Sequence, residues 1–257
     1  MAQKALITGA SSGIGRDMAG VLSDMGYEVI LAARSTDKLQ ELAESLKTKA
    51  YVITADLSDR NACLDLYNKT MEICYDGSLE VVINNAGFGL FGEFSQTDMN
   101  TELKMIDTNV VALQILMKLF LKEFIKKNSG YILNVASSAA FMPGPLMSVY
   151  YSTKAYVMRL TQAVDRELKN KKSRVYAGVL CPGPVDTNFN NTANVQFALK
   201  GLSSPYVAEY GIKKMFKRKT VIIPGISMKL GKFGLRPIPD RLITKIAYNI
   251  QHKKGGE

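Results

Sequence analysis

The sequence predicts an α/β protein: a doubly wound parallel sheet of about seven strands with helices on both faces. Three observations carry that reading. Short β-rich apolar runs alternate with longer amphipathic stretches along the chain, the pattern of right-handed βαβ crossovers. The runs are apolar on consecutive positions, as in Val29-Ile30-Leu31-Ala32-Ala33, which suits strands buried on both faces. Finally, 257 residues at 47% hydrophobic and 22% charged content can fill one packed core and are too apolar for disorder.

In chain order, strands are expected at Ala5–Thr8, Glu28–Ala33, Tyr51–Ala55, Val81–Asn84, Tyr131–Val135, Val175–Leu180 and Thr220–Ile223. Helices are expected near 14–25, 36–48, 59–75, 100–127, 149–170 and 205–218. No Pro/Gly/Ser-rich linker and no internal repeat divides the chain, so residues 1–224 read as one domain. Residues 225–257 read as a basic, partly apolar extension packed on that same domain.

Composition removes several function classes. Cys63, Cys74 and Cys181 are too few, odd in number and far apart for a disulfide scaffold, and they fit a reduced, cytoplasmic protein. No apolar run reaches the roughly 18–20 residues of a membrane span. Met1-Ala2-Gln3-Lys4 leads straight into a strand, so no signal peptide is expected. The single histidine, His252, argues against histidine triads and multi-histidine metal sites. The net charge of +10 sits entirely in the tail: residues 212–257 hold 12 Lys+Arg against Asp240 and Glu257, whereas residues 1–211 hold 21 of each sign. A neutral body with a basic tail, and no aromatic-interleaved basic strand or recognition helix, argues against nucleic acid as a partner.

In such a sheet, ligands bind at the carboxyl ends of the strands near the reversal of strand order. After the first strand comes Thr8-Gly9-Ala10-Ser11-Ser12-Gly13-Ile14-Gly15, opening directly into a helix. Gly9 allows the tight turn, Gly13 lets backbone approach a pyrophosphate, and Gly15 lets helix and strand pack closely. The helix N-terminus adds free N–H groups and a positive dipole. The spacing Gly-x-x-x-Gly-x-Gly behind a threonine resembles the glycine motif of the classical short-chain dehydrogenase/reductase family. Asp56-Leu57 after the third strand, Asn84-Asn85-Ala86-Gly87 after the fourth and Pro182-Gly183 after the sixth extend the resemblance over roughly residues 4–224.

That resemblance implies a Rossmann-type dinucleotide-binding and catalytic domain. It places Ser11, Ser12 and Ile14 beside the phosphates with the glycines, and Asp56 and Leu57 near the adenine. Asn85, Ala86 and Gly87 would line the site, and Pro182, Gly183, Val185 and Thr187 would meet the nicotinamide. The charge at the end of the second strand chooses the cofactor. An NAD site would place a carboxylate there, but this chain has Ala33 followed by Arg34. A guanidinium can hold a 2′-phosphate with paired hydrogen bonds, gaining up to about 4 kcal/mol before screening. The expected cofactor is therefore NADP(H), with Arg16 and Lys38 as weaker helpers.

Tyr150-Tyr151-Ser152-Thr153-Lys154 contains Tyr-x-x-x-Lys, and residues four apart share a helix face. A tyrosine needs about 4 kcal/mol to move from its free pKa near 10 to about 7. A nearby ammonium in a partly desolvated cleft supplies that order of energy, so Lys154 is expected to lower Tyr150. Tyr151 has Ala155 at the same offset and is expected to line the pocket or pack. In the resembling family the serine thirteen residues before the tyrosine donates to the substrate carbonyl; Ser137 matches, with Ser138 as the alternative. Asn109 matches the family's helix asparagine, which helps to hold a water relay to the lysine. The implied chemistry is hydride transfer with Tyr150 as general acid/base, and it needs no metal.

Phe88, Phe91 and Phe94, then Phe141, Met142, Leu146 and Met147, and Phe189 in the Asn-rich stretch 184–204, surround the expected pocket with apolar surface. The substrate read from them is a hydrophobic ketone, aldehyde or alcohol: steroid, fatty acyl or xenobiotic carbonyl. Phe88, Phe141, Met147, Tyr151 and Phe189 are the candidate lining residues. The family also implies a homodimer or homotetramer. The tail mixes Lys and Arg with apolar residues around Pro237 and Pro239, and reads either as a helical cap over the substrate mouth or as a weak peripheral membrane contact. A non-catalytic NADP-binding sensor or scaffold is the competing function.

Overall fold

The structure, a computed structural model, describes residues 2–186, 201–234 and 237–252. Its first third alternates strictly: β1 (Lys4–Thr8), α1 (Gly13–Asp24), β2 (Glu28–Ala33), α2 (Thr36–Ser45), β3 (Ala50–Thr54), α3 (Arg60–Ile73) and β4 (Leu79–Asn84). Then come α4 (Met99–Ile106), α5 (Leu113–Lys126), β5 (Tyr131–Val135), α6 (Ser148–Asn170) and β6 (Tyr176–Leu180). Two short strands, β7 (Val185–Asp186) and β8 (Leu202–Ser203), precede α7 (Ser204–Phe216) and β9 (Val221–Ile222). The tail forms α8 (Ile226–Gly234) and α9 (Asp240–His252).

All seven expected strands join one parallel sheet, in the order β3-β2-β1-β4-β5-β6-β9. The order reverses between β1 and β4, which opens a crevice at their carboxyl ends. Alternate residues of each strand feed two core layers. Ala5, Ile7, Val29 and Leu31 pack with Met18 and Leu22 of α1 and with Val207 and Ile212 of α7. Leu6, Ile30, Val82 and Ile132 pack with Leu66 of α3, Phe120 and Phe124 of α5, and Val157 of α6. That is why runs such as Val29–Ala33 are apolar on consecutive positions. Each fully buried Leu, Ile or Phe contributes about 1.5–3 kcal/mol, so both helical layers are needed.

Local signals fix the helix starts. Asp59 accepts from Asn61 N at 2.8 Å and caps α3, and Asp98 accepts from Thr101 N at 2.8 Å and caps α4. Lys213 and Lys214 occupy the last turn of α7, where they complement its dipole.

The structure departs from expectation in two places. The helix expected near 100–127 is interrupted by a π-helical turn, Asp107–Ala112, whose cause lies in the site below. Within the stretch 184–204, β7 and β8 form a two-residue parallel pair, too short to leave a periodic signal. The tail folds as two helices against the domain, and α9 buries Ile243, Ala247 and Gln251, four residues apart on one face.

Candidate active site

The glycine loop is held by the loop after β4. Thr8 Oγ1 accepts from the N–H groups of Asn85 and Ala86 at 3.0 and 3.1 Å, and Asn85 Nδ2 donates to the carbonyls of Thr8 and Gly9 at 3.0 and 3.2 Å. The Asn85 amide is thereby committed to the loop and acts by shaping it. Gly9 has φ +66°, and a Cβ there would lie 2.9 Å from Ala86 Cα. A Cβ on Gly15 would collide with the Gly9 carbonyl and with Asn85 Nδ2. Only glycine keeps the two loops this close and the surface between them open.

A buried polar ladder sets α6 against the sheet. Asn84 Nδ2 donates to Asn134 Oδ1 at 2.8 Å, and Asn134 Nδ2 donates to Thr161 Oγ1 at 2.8 Å. About two and three turns toward the start of α6, Lys154 and Tyr150 are buried. Lys154 Nζ donates to Val135 O at 3.0 Å and lies 5.8 Å from the centre of the Tyr150 ring. Ser137 follows β5 in extended backbone; its Oγ accepts from Ala139 N at 3.1 Å, capping a 3₁₀ turn at Ser138–Phe141. Its hydroxyl also bonds the Tyr150 side chain.

Asn109 explains the π turn. It is 1% exposed; its Oδ1 accepts from Phe88 N at 3.0 Å, and its Nδ2 donates to Phe88 O at 2.9 Å and to Thr153 Oγ1 at 3.1 Å. The widened turn aims the amide across to the Phe88 backbone and to α6. Asn109 therefore stands behind the cavity wall.

The electrostatics correct one expectation. Lys154 was expected to bring Tyr150 down, but burial pushes the Tyr150 phenol up; the Ser137 hydrogen bond opposes this and Tyr151 adds to it. Burial also lowers Lys154 to about 8, against a small opposing effect of Cys181. The physical reason is that both groups lie deep in the protein, where desolvation disfavours the charged form of each. Nearby, burial raises Cys181 to about 12, which keeps its thiol protonated. Across the cavity, burial works to raise Asp56, but hydrogen bonds from Ser58 and the charges of Arg34 and Lys104 outweigh it and hold the carboxyl low.

These residues line one cavity of about 610 Å³ at the β1/β4 crevice. It brings together Gly9, Ser11, Ser12, Gly13, Ile14, Arg34, Asp56, Leu57, Asn85, Ala86 and Gly87 with Ser137, Tyr150, Lys154, Pro182, Gly183 and Val185. Phe88, Phe141, Met147 and Tyr151 line it as well, and Ser138 stands beside Ser137. Gly15 and Asn109 support it from behind. Arg16 instead pairs with Glu41 at 3.4 Å, and Lys38 does not reach the cavity. Thr187 and Phe189 lie outside the described residues.

Sequence reasoning offered the tail as a helical cap over the mouth but named none of the residues of this far wall. Met228, Gly231 and Lys232 of α8 and Ile246, Ala247 and Gln251 of α9 complete the lining. Gln251 Nε2 donates to Tyr151 Oη at 2.8 Å, tying the tail to the residue beside Tyr150. The four-residue spacing of Ile243, Ala247 and Gln251 was the available signal, but a short amphipathic segment does not say what it packs on.

Comparison with known proteins places this geometry. The short chain dehydrogenase family model matches residues 3–197. An uncharacterized oxidoreductase of Staphylococcus epidermidis is 35% identical over 185 residues, covering 71% of this chain and 78% of that protein. The very-long-chain 3-oxoacyl-CoA reductase of Rattus norvegicus is 33% identical over 172 residues, 65% of this chain and 55% of that protein. The solved structure of a short-chain dehydrogenase from Sphingobium yanoikuyae in complex with NADPH superposes with a TM-score of 0.80 at 26% identity, covering 93% of this chain and 99% of that one.

Proposed function

For a chain that belongs to the short-chain dehydrogenase family, we propose an NADP(H)-dependent oxidoreductase that interconverts a hydrophobic ketone or aldehyde and its alcohol. The observation that carries this reading is the convergence of Ser137, Tyr150 and Lys154 on an apolar cavity that continues into the glycine cradle. The cradle fits a dinucleotide, because glycine at positions 9 and 15 lets the loops after β1 and β4 stand close without side chains between them, and α1 begins at its edge.

Ser11, Ser12, Gly13 and Ile14 would hold the phosphates, and Asp56 and Leu57 would hold the adenine. Lys154 would hold the nicotinamide ribose, and Pro182, Gly183, Val185 and Thr187 the nicotinamide. Arg34 supports NADP(H): it lines the cavity at the end of β2, where an NAD site would carry a carboxylate. Solved neighbours carry NADPH or NAD, so the preference rests on Arg34.

When bound, the nicotinamide supplies the hydride. In the reductive direction Ser137, whose Oγ lone pair already accepts from Ala139 N, turns its O–H to the substrate carbonyl. Tyr150, kept protonated by burial, gives its proton to the developing alkoxide oxygen. Lys154, lowered to about 8, is poised to return a proton to the Tyr150 oxygen near neutral pH. Asn109, fixed to the Phe88 backbone and to Thr153, holds that lysine's helix in place.

Phe88, Phe141, Met142, Met147, Met228 and Ile246 give the cavity an apolar wall, which supports a hydrophobic substrate. The rat relative's acyl substrate is one chemistry such a wall accepts. Exposed Met99, Leu103 and Tyr156 on the α4–α6 layer support assembly as a homodimer or homotetramer.

The test is a carbonyl panel assayed by NADPH consumption and repeated with Tyr150→Phe. The substitution is expected to lower kcat/KM roughly 100- to 10,000-fold with NADPH binding retained. Equal rates in parent and variant would sink the mechanism, and a clear preference for NADH would overturn the reading of Arg34.

A further inference from the structure

Helix α8 has two unlike faces. Met228, Gly231 and Lys232 line the cavity, whereas Ile226, Leu230 and Phe233, spaced four and three residues apart, form a stripe on the opposite side. Those three side chains are 75%, 66% and 71% exposed, and no residue of α8 is buried. A helix that already turns one face to the cavity cannot bury the opposite stripe against the same domain. On α9, Leu242 adds exposed apolar surface beside its buried face.

Cations frame this surface. Lys229 follows the edge of the α8 stripe, and Arg241 and Lys245 lie on the solvent side of α9, with Asp240 the one acid in either helix. We propose that the outward face of α8 and α9 docks on an anionic lipid surface, with the Ile226–Leu230–Phe233 stripe entering the headgroup region. Apolar side chains interleaved with Lys and Arg match the chemistry of an interfacial helix. Among the described residues no helix is long and apolar enough to cross a bilayer, so the contact is one of surface. A second copy of the chain is a poorer occupant, because it would bring the same basic tail against itself. Since the reverse side of α8 is the cavity wall, docking would set the substrate mouth beside the acyl chains. The docking itself does not depend on the proposed reaction.

The full chain is tested by co-sedimentation with phosphatidylglycerol vesicles and with phosphatidylcholine vesicles. Binding is expected to be at least tenfold stronger to phosphatidylglycerol and to fall with added salt. In the variant Leu230→Ser/Phe233→Ser, binding falls at least tenfold, while thermal stability, NADPH turnover of a water-soluble ketone and oligomeric mass stay at parent values. Because the chain contains no tryptophan, Leu230→Trp adds a single reporter whose emission shifts blue on phosphatidylglycerol vesicles. Equal binding to both lipids, undiminished binding by the double variant, or an unshifted tryptophan overturns the proposal. A drop in oligomeric mass in the double variant also overturns it and assigns the stripe to contact between copies.

Discussion

The cavity has two walls built in different ways. The wall between β1 and β4 is backbone, held by reciprocal hydrogen bonds among Thr8, Gly9, Asn85 and Ala86. The wall made by α8 and α9 is side chain, held by apolar contacts and the bond from Gln251 to Tyr151. A backbone wall has little tolerance, because an added methyl meets main chain that cannot swing away. A side-chain wall can repack. The first suits an invariant ligand and the second suits a substrate that differs between relatives.

The largest effect is expected from Gly15→Ala. The added Cβ meets the Gly9 carbonyl, so folding stability should drop by about 1–3 kcal/mol. The NADPH Kd should rise at least tenfold, about 1.4 kcal/mol, in a calorimetric titration. Unchanged affinity would show that the wall is softer than its contacts indicate. Next, Thr8→Val strands the N–H groups of Asn85 and Ala86 and should cost about 1–3 kcal/mol in denaturant unfolding.

Lys154→Met sharpens the comparison where the walls meet. Burial lowers Lys154 from 10.5 to about 8, so below pH 8 the folded protein holds an ammonium in a dry site at a cost. Between pH 8 and 10.5 the folded protein has released this proton and the unfolded chain still binds it, so the parent gains stability as pH rises. The variant should therefore be inactive yet more resistant to denaturant at pH 7, with its advantage fading toward pH 10.5. A constant advantage at both ends would mean that packing, not charge, sets it. The smallest effect is expected in the other wall. Gln251→Leu removes one hydrogen bond and also a buried Oε1 that has no partner among the described residues, so stability should move by less than about 1 kcal/mol. The KM of a bulky ketone should shift while NADPH affinity holds.

What the sequence disclosed follows the same division. All seven sheet strands were legible, because burial on both faces of the inner strands writes runs of consecutive apolar residues. The glycine loop, Asn85, Ser137, Tyr150 and Lys154 were legible because each lies at a fixed offset from a strand end or along one helix. The far wall was not: Met228, Ile246 and Gln251 reach the cavity through packing between segments about 100 residues apart, as in the Tyr151–Gln251 bond. The protonation energetics of Tyr150 were also hidden. Spacing shows that a cation is near, but only depth shows that desolvation prevails.

The π turn at Asp107–Ala112 gives one helical rod two independent rotational settings. Downstream, Leu116, Phe120 and Phe124 are locked into the core. Were the rod wound as α-helix throughout, one residue fewer would be accommodated, and everything upstream would turn by about 100°. Asn109 would then swing away from Phe88 and Thr153. The widened turn thus lets α5 keep its apolar face in the core while the Asn109 amide meets Phe88 and Thr153.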